Sequence, residues 1–213
     1  MKIGILGSGT VAQTLGAGLI GLGHNVKLGT RDPKKLDEWF DRVGGRGTVG
    51  SMADAAAFGE MVFNCTAGMH SLEALRSAGE ENLAGKIVVD VANPLDFSAG
   101  MPPTLSVSNT DSLGEQIQRA FPEARVVKTL NTVNASLMVN PAALPGSHTV
   151  FVSGNDPDAK AEVTGLLKKG FGWPSVIDLG DITTARGTEM LLPLWVRLLG
   201  VLGTPMFNFQ IVR

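Results

Sequence analysis

Apolar residues along this chain fall into short unbroken runs, separated by longer stretches where they recur every three or four positions. The short runs predict eight strands: Lys2–Leu6, Asn25–Leu28, Thr48–Val49, Met61–Cys65, Lys86–Val91, Arg125–Leu130, Thr149–Val152 and Ser175–Asp178. The early runs are continuous Val, Ile and Leu rather than alternating with polar residues, as in a parallel sheet covered on both faces. The periodic stretches predict helices over Thr10–Gly21, Pro33–Val43, Ser51–Phe58, Ser71–Ala78, Leu113–Phe121, Asp156–Lys168 and Thr184–Leu202. Such alternation predicts right-handed crossovers and an open, doubly wound, mostly parallel α/β sheet. Sheets of this kind bind ligands at the carboxyl ends of their strands, where the strand order reverses.

Two regions depart from the alternation. Asn93–Thr110 is long, irregular and rich in Pro, Ser, Gly and Met, so it either covers a site or is a surface excursion. Met190–Arg213 carries Leu191, Leu192, Leu194, Trp195, Leu198, Leu199, Val201 and Leu202, more apolar surface than one helix face buries. Some of it packs on the sheet, and the rest is either buried within the chain or an interface; we expect a homodimer. Residues 1–180 then form the ligand-binding domain, and 181–213 a short C-terminal helical segment that caps the site.

Composition narrows the function. A formal net charge of −2 without long runs of one sign argues against nucleic acid as a partner. Three scattered histidines and one cysteine offer no metal-ligand spacing. The single cysteine, Cys65, excludes an internal disulfide framework and fits a reducing compartment; inside an apolar strand it reads as buried and inert. Pro193, Arg197 and Pro205 interrupt the apolar C-terminal segment below the ~18–20 residues that a spanning helix needs. Gly7 and Gly9 interrupt the apolar start, and no cleavage site follows it. A soluble, cytoplasmic protein without a membrane partner is expected.

Gly7-Ser8-Gly9-Thr10-Val11-Ala12 stands between a strand and a helix at the first strand of a βαβ unit, the fingerprint of a Rossmann-like dinucleotide site. Gly7 permits the tight turn, Gly9 lets the backbone approach a pyrophosphate, and Ala12 keeps helix and strand close. The free N–H groups at the helix start face the phosphates. An acidic residue usually ends the second strand and grips both ribose hydroxyls. Here Gly29, Thr30 and Arg31 occupy that place, followed by Lys35. Gly29 leaves space, Thr30 offers a hydroxyl, and Arg31 a forked cation suited to a 2′-phosphate, so the expected ligand is NADP(H). Asp32, just before Pro33, is expected to cap the next helix rather than to bind ribose.

These residues carry a family resemblance. Gly7–Ala12 followed by Gly29-Thr30-Arg31 resembles the NADP site of the NADPH:coenzyme F-420 oxidoreductases, and is similar to the reductase domain of the six-transmembrane epithelial antigen metalloreductases. DVANPL (Asp90–Leu95), VVKTLNTVNA (Val126–Ala135) and ARGTEMLLPLW (Ala185–Trp195) resemble further segments of that family, so the likeness runs nearly end to end. It implies hydride transfer between NADP(H) and a flat tricyclic partner, F-420 or a flavin (FMN or FAD). It also implies Ser8, Thr10, Thr30, Arg31 and Lys35 around the phosphates, and Thr66, Ala67 and His70 along the passage from adenosine to nicotinamide. Asn93 and Pro94 would flank the nicotinamide, and Asn131, Thr132 and Val133 would lie under the second ring. Asn131 stands where the deazaflavin enzymes tend to carry histidine, which leaves the acceptor open between F-420 and flavin.

No Ser/His/Asp arrangement, paired carboxylates or Tyr-x-x-x-Lys pair is present, and the chain has no tyrosine. No catalytic acid or base is therefore expected. That suits transfer between two rings, where the protein positions donor against acceptor and excludes water. Two alternatives remain open at this level: a sensor that binds NADP(H) without turnover, and an imine or carbonyl reductase of the pyrroline-carboxylate reductase type. His70 follows Cys65-Thr66-Ala67-Gly68 and either touches ligand or starts a helix.

Overall fold

The computed structural model describes residues Met1–Arg213. Its strands are β1 (Lys2–Leu6), β2 (Asn25–Gly29), β3 (Gly47–Gly50), β4 (Met61–Asn64), β5 (Ile87–Asp90), β6 (Leu95–Asp96), β7 (Thr104–Leu105), β8 (Arg125–Thr129), β9 (Thr149–Ser153) and β10 (Ser175–Asp178). Eight of them form one sheet in the order β10-β9-β8-β5-β4-β1-β2-β3, with all neighbours parallel except β8 and β9. The helices are α1 (Thr10–Gly21), α2 (Asp37–Val43), α3 (Met52–Phe58), α4 (Ser71–Ala78), α5 (Glu80–Leu83), α6 (Leu113–Ala120), α7 (Ala135–Val139), α8 (Pro157–Gly165), α9 (Ala185–Met190) and α10 (Leu192–Leu202).

The unbroken apolar runs of β1, β4, β5 and β8 exist because each of these strands feeds two cores. Ile3, Ile5, Phe63, Val89 and Val127 point to one face, where α1, α2, α7 and α8 pack. Leu6, Val62, Val88 and Val126 point to the other, against α3, α4 and α6. Successive strand side chains alternate in direction, so a sheet buried on both faces has no polar positions to spare. In α1 the buried residues are Ala12, Leu15, Gly16 and Leu19, one face at helical spacing. Ser51 starts α3 with a reciprocal capping pair, accepting the Asp54 N–H while the Asp54 carboxylate accepts the Ser51 N–H.

Several expected helices divide. Pro33–Val43 begins as a tight 3-10 turn over Pro33–Leu36 before α2, and α8 widens into a π-type turn over Leu166–Gly170. The expected Thr184–Leu202 helix breaks between α9 and α10, because Pro193 has no N–H to donate to the carbonyl of Glu189. Asn93–Thr110 is not wholly irregular: β6 and β7 pair in it as an antiparallel ribbon, Leu95 opposite Leu105. Between β8 and β9 the chain turns back through α7 instead of crossing the sheet, so β9 returns antiparallel.

α10 is largely uncovered. Only Leu192 is buried among its residues, while Val201 is 83% exposed and Leu194 and Leu202 about half exposed. The apolar surplus of the C-terminal segment is therefore not absorbed within the chain. No helix is long and apolar enough to cross a membrane.

Candidate functional site

β1 lies centrally, with β2 on one side and β4 on the other, so the strand order reverses at the β1–β4 step. A cleft of about 260 Å³ opens over the carboxyl ends there. The turn after β1 supplies Gly7, Ser8 and Gly9 to it, the turn after β2 supplies Thr30, Arg31, Asp32 and Lys35, and the turn after β4 supplies Cys65, Thr66, Ala67 and His70. A second cavity of about 340 Å³ shares Cys65, Thr66, Ala67 and His70 with the first and continues past Val11 to Asn93 and Phe97. The two make one trough along the strand ends.

The first turn is shaped for a phosphate. Gly7 sits at φ 130°, and a Cβ there would lie 2.7 Å from the carbonyl oxygen of Cys65, so only glycine fits. A Cβ on Gly9 would meet no atom within 4 Å. That open space lies before the start of α1, whose first N–H groups have no helical acceptor. Gln13 Nε2 donates to the Ser8 carbonyl at 2.9 Å and fixes the turn. The arrangement fits a dinucleotide pyrophosphate. The Thr10 side chain lines a neighbouring depression beside Gln13, Trp39 and Arg42, while its backbone N–H is the first of α1.

At the adenosine end, buried Thr30 accepts the Asp32 N–H at 3.1 Å and donates to the Asp32 carbonyl at 3.3 Å. This closed loop leaves Arg31 and Lys35 exposed along the cleft. Two expectations change here. Gly29 does not leave room for the ligand: a Cβ would lie 2.9 Å from both Ala55 Cβ and the Ser51 carbonyl, so the missing side chain seats α3. Asp32 precedes the Pro33–Leu36 turn, but its carboxylate makes no capping bond, since its backbone carbonyl accepts the Lys35 N–H instead. The Asp32 side chain lines the cleft, exposed and uncommitted.

At the other end, Asn93 and Asn131 clasp each other. Asn93 Nδ2 donates to the Asn131 carbonyl at 2.7 Å, and Asn131 Nδ2 donates to Asn93 Oδ1 at 2.9 Å and to the Thr188 carbonyl at 3.1 Å. Asn131 and Thr132 are buried and line neither cavity, so Asn131 acts as a strut for the Asn93–Pro94 loop rather than as a surface for a ring. Val133 is likewise buried, in the larger core. Gly68 lets that loop approach, since a Cβ there would overlap the Asn93 carbonyl. Leu130, just before Asn131, holds φ 60°, a conformation costly for a bulky side chain and common near functional sites. His70 is exposed in both cavities, its Nδ1 3.8 Å from Glu73. Burial, then the nearby Asp90 carboxylate, pushes the Cys65 thiol above its ordinary pKa.

Beneath the trough lies a charge cluster that sequence reasoning missed. Lys128 is fully buried, its Nζ 2.8 Å from Asp90 Oδ2, 2.7 Å from Glu189 Oε1 and 2.6 Å from the Ala92 carbonyl. Glu189 also accepts the N–H groups of Leu113 and Gly114 at 2.8 and 3.1 Å, tying α9 to the start of α6. Asp90 accepts from Asn64 Nδ2 at 2.9 Å, and Asn64 Oδ1 accepts from the Thr66 hydroxyl at 2.7 Å, so the chain of bonds reaches the trough wall. The available signal was a lysine inside an apolar strand run: in a sheet covered on both faces such a charge must be paired.

A family model described as NADP oxidoreductase, coenzyme F-420-dependent, matches residues 2–94. The F-420-dependent NADP reductase of Methanocaldococcus jannaschii is 30% identical over 209 residues, covering 93% of this chain and 92% of that one. The metalloreductase STEAP3 of Rattus norvegicus is 32% identical over 200 residues, 91% of this chain but only 38% of the relative. The chain thus spans well under half the length of the metalloreductases it matches. A crystal structure from Arthrobacter sp. FB24, provisionally described as an F-420-dependent NADP-reductase, has a TM-score of 0.96 and 60% identity with both chains covered in full. A Streptomyces aurantiacus imine reductase shares the fold alone, at TM-score 0.69 and 17% identity over 95% of this chain and 64% of its own. The Methanocaldococcus jannaschii reductase, matched at 30% identity along nearly its whole length, settles the family: this chain belongs to the coenzyme F-420-dependent NADP oxidoreductases.

Proposed function

We propose that the chain carries a hydride between NADPH and a flat tricyclic acceptor, F-420 or a flavin such as FMN or FAD. The observation that carries this reading is the trough itself, a polar cleft with Arg31 and Lys35 at one end that runs into a less polar cavity past Cys65–Ala67. NADPH held there would supply the hydride, and the proton that completes reduction of the acceptor would come from solvent. Arg31 and Lys35 would receive the 2′-phosphate, with Thr30 fixing their turn, while Ser8 and Gly9 meet the pyrophosphate at the start of α1. Asn93 and Pro94 would flank the nicotinamide, held by the Asn131 strut. The mostly apolar walls of the second cavity suit a transfer that needs alignment and dryness more than proton relay.

Arg31→Ala is expected to raise the NADPH KM by about tenfold, the worth of one partly solvated charge-assisted contact, and to leave the NADH KM unchanged. Equal losses for both nucleotides would remove the cofactor assignment. We further propose a homodimer through α10, supported by the uncovered Leu194, Val201 and Leu202. Sedimentation at micromolar concentration should show a dimer that Val201→Asp dissociates; a monomeric parent chain would end the idea.

A further inference from the structure

We infer that the acceptor is recognised through its ring alone, and that any anionic tail it carries remains in solvent. This rests on the hydride-transfer reading above. The second cavity is walled by Val11, Val91, Leu95 and Phe97, with the Asn93 amide and the His70 ring as its polar side chains apart from the Thr66 hydroxyl. No lysine or arginine lines it.

Two cations of the surrounding elements, Lys128 and Arg186, are committed elsewhere. Lys128 is enclosed below by Asp90 and Glu189. Arg186 of α9 gives both Nε and Nη2 to the Glu115 carboxylate, which Ser112 Oγ also meets at 2.8 Å. The charge beside Phe97 is negative: Asp96 accepts the Ser98 N–H at 2.8 Å through Oδ1. A phosphate or glutamate chain leaving this cavity would meet no lysine or arginine in its lining, and a carboxylate beside Phe97.

What the rim does offer is apolar. Met69 and Phe97, both in the cavity lining, are 55% and 56% exposed. Large side chains left open at the edge of a pocket suit the face of a flat ring. The contrast lies within one trough, since the adenosine end sets Arg31 and Lys35 free for a phosphate while the acceptor end binds its arginine to a glutamate.

The test compares acceptors that differ only in their tails, with NADPH oxidation as readout: riboflavin against FMN and FAD, and F-420 against its ring core stripped of phosphate and glutamates. Within each set kcat/KM should agree within about threefold, since a tail contact to a paired cation would be worth ~1.5–3 kcal/mol, or tenfold and more. The acceptor KM should not respond to salt, whereas the NADPH KM should rise with it. Phe97→Ala should weaken tailed and tail-free acceptors by the same factor and leave the NADPH KM unchanged. A tailed acceptor favoured by about tenfold or more, with the preference lost in salt, would overturn the inference alone. No oxidation by any ring, in a protein that calorimetry shows to bind NADPH, would overturn the hydride-transfer reading and this inference with it.

Discussion

The two ends of the trough are built by different means. At the adenosine end each group stands within a few residues of a strand terminus: Ser8 and Gly9 after β1, Thr30, Arg31 and Lys35 after β2. Their charges are exposed along the cleft. At the acceptor end the supporting bonds join residues far apart in the chain, Asn93 to Asn131 across 38 positions and Leu113 to Glu189 across 76. There the charges are buried beneath the floor. One end spends its polar groups on binding, the other on holding apolar walls in place.

The largest effect expected from breaking this contrast is at Lys128. Lys128→Met leaves the Asp90 and Glu189 carboxylates buried without their cation and should cost about 3–5 kcal/mol in urea unfolding. The triple change Lys128→Met, Asp90→Asn, Glu189→Gln should recover most of that loss. A cost below about 1 kcal/mol for the single change would show that the cluster supports nothing. Burial alone would lower the Lys128 pKa, but the Asp90 and Glu189 charges outweigh it, so it stands above the ordinary lysine range. The folded pKa being raised, the ammonium's contribution is whole below the unfolded value of about 10.4 and is lost as pH climbs through the folded one. Alkaline unfolding should therefore begin at lower pH in Asp90→Asn.

Gly29 sharpens the comparison from the other side. Gly29→Ala drives a methyl group to 2.9 Å from Ala55 Cβ and the Ser51 carbonyl, and should cost about 1–3 kcal/mol of stability by overpacking α3. The ratio of NADPH to NADH affinity should not change. A shifted ratio with stability intact would return the empty space to the ligand.

What was legible in the sequence follows the same division. The central strands of the main sheet show as apolar runs, because burial on both faces removes the polar positions that would blur them, while the half-buried edge strands β3 and β10 leave a weaker trace. The glycine turn and the Arg31–Lys35 cations are legible because their chemistry is local to a strand end. α5 and α7 were not foreseen, being too short to establish a helical period. Nor was the Lys128 cluster, since Lys128, Asp90 and Glu189 meet only once β5, β8 and α9 are in place. Asp32 was misjudged for a subtler reason: whether its carboxylate or its carbonyl takes a turn's N–H is decided by backbone angles that residue type does not fix.

That misjudged residue gives the smallest effect and the finest test of the adenosine end. The Asp32 carboxylate is exposed in the cleft beside Arg31 and Lys35 and makes no hydrogen bond that would hold it away. Facing a 2′-phosphate it repels; facing an unphosphorylated ribose it can accept from a hydroxyl. Asp32→Asn should therefore tighten NADPH by about two- to fivefold, the scale of one exposed charge pair, and weaken NADH by a similar factor. High salt should erase the NADPH gain, since the repulsion is screened while a hydroxyl bond is not. Calorimetry with both nucleotides at two salt concentrations separates the cases. If neither affinity moves, the carboxylate faces water, and the choice of nucleotide is left to Arg31 and Lys35 alone.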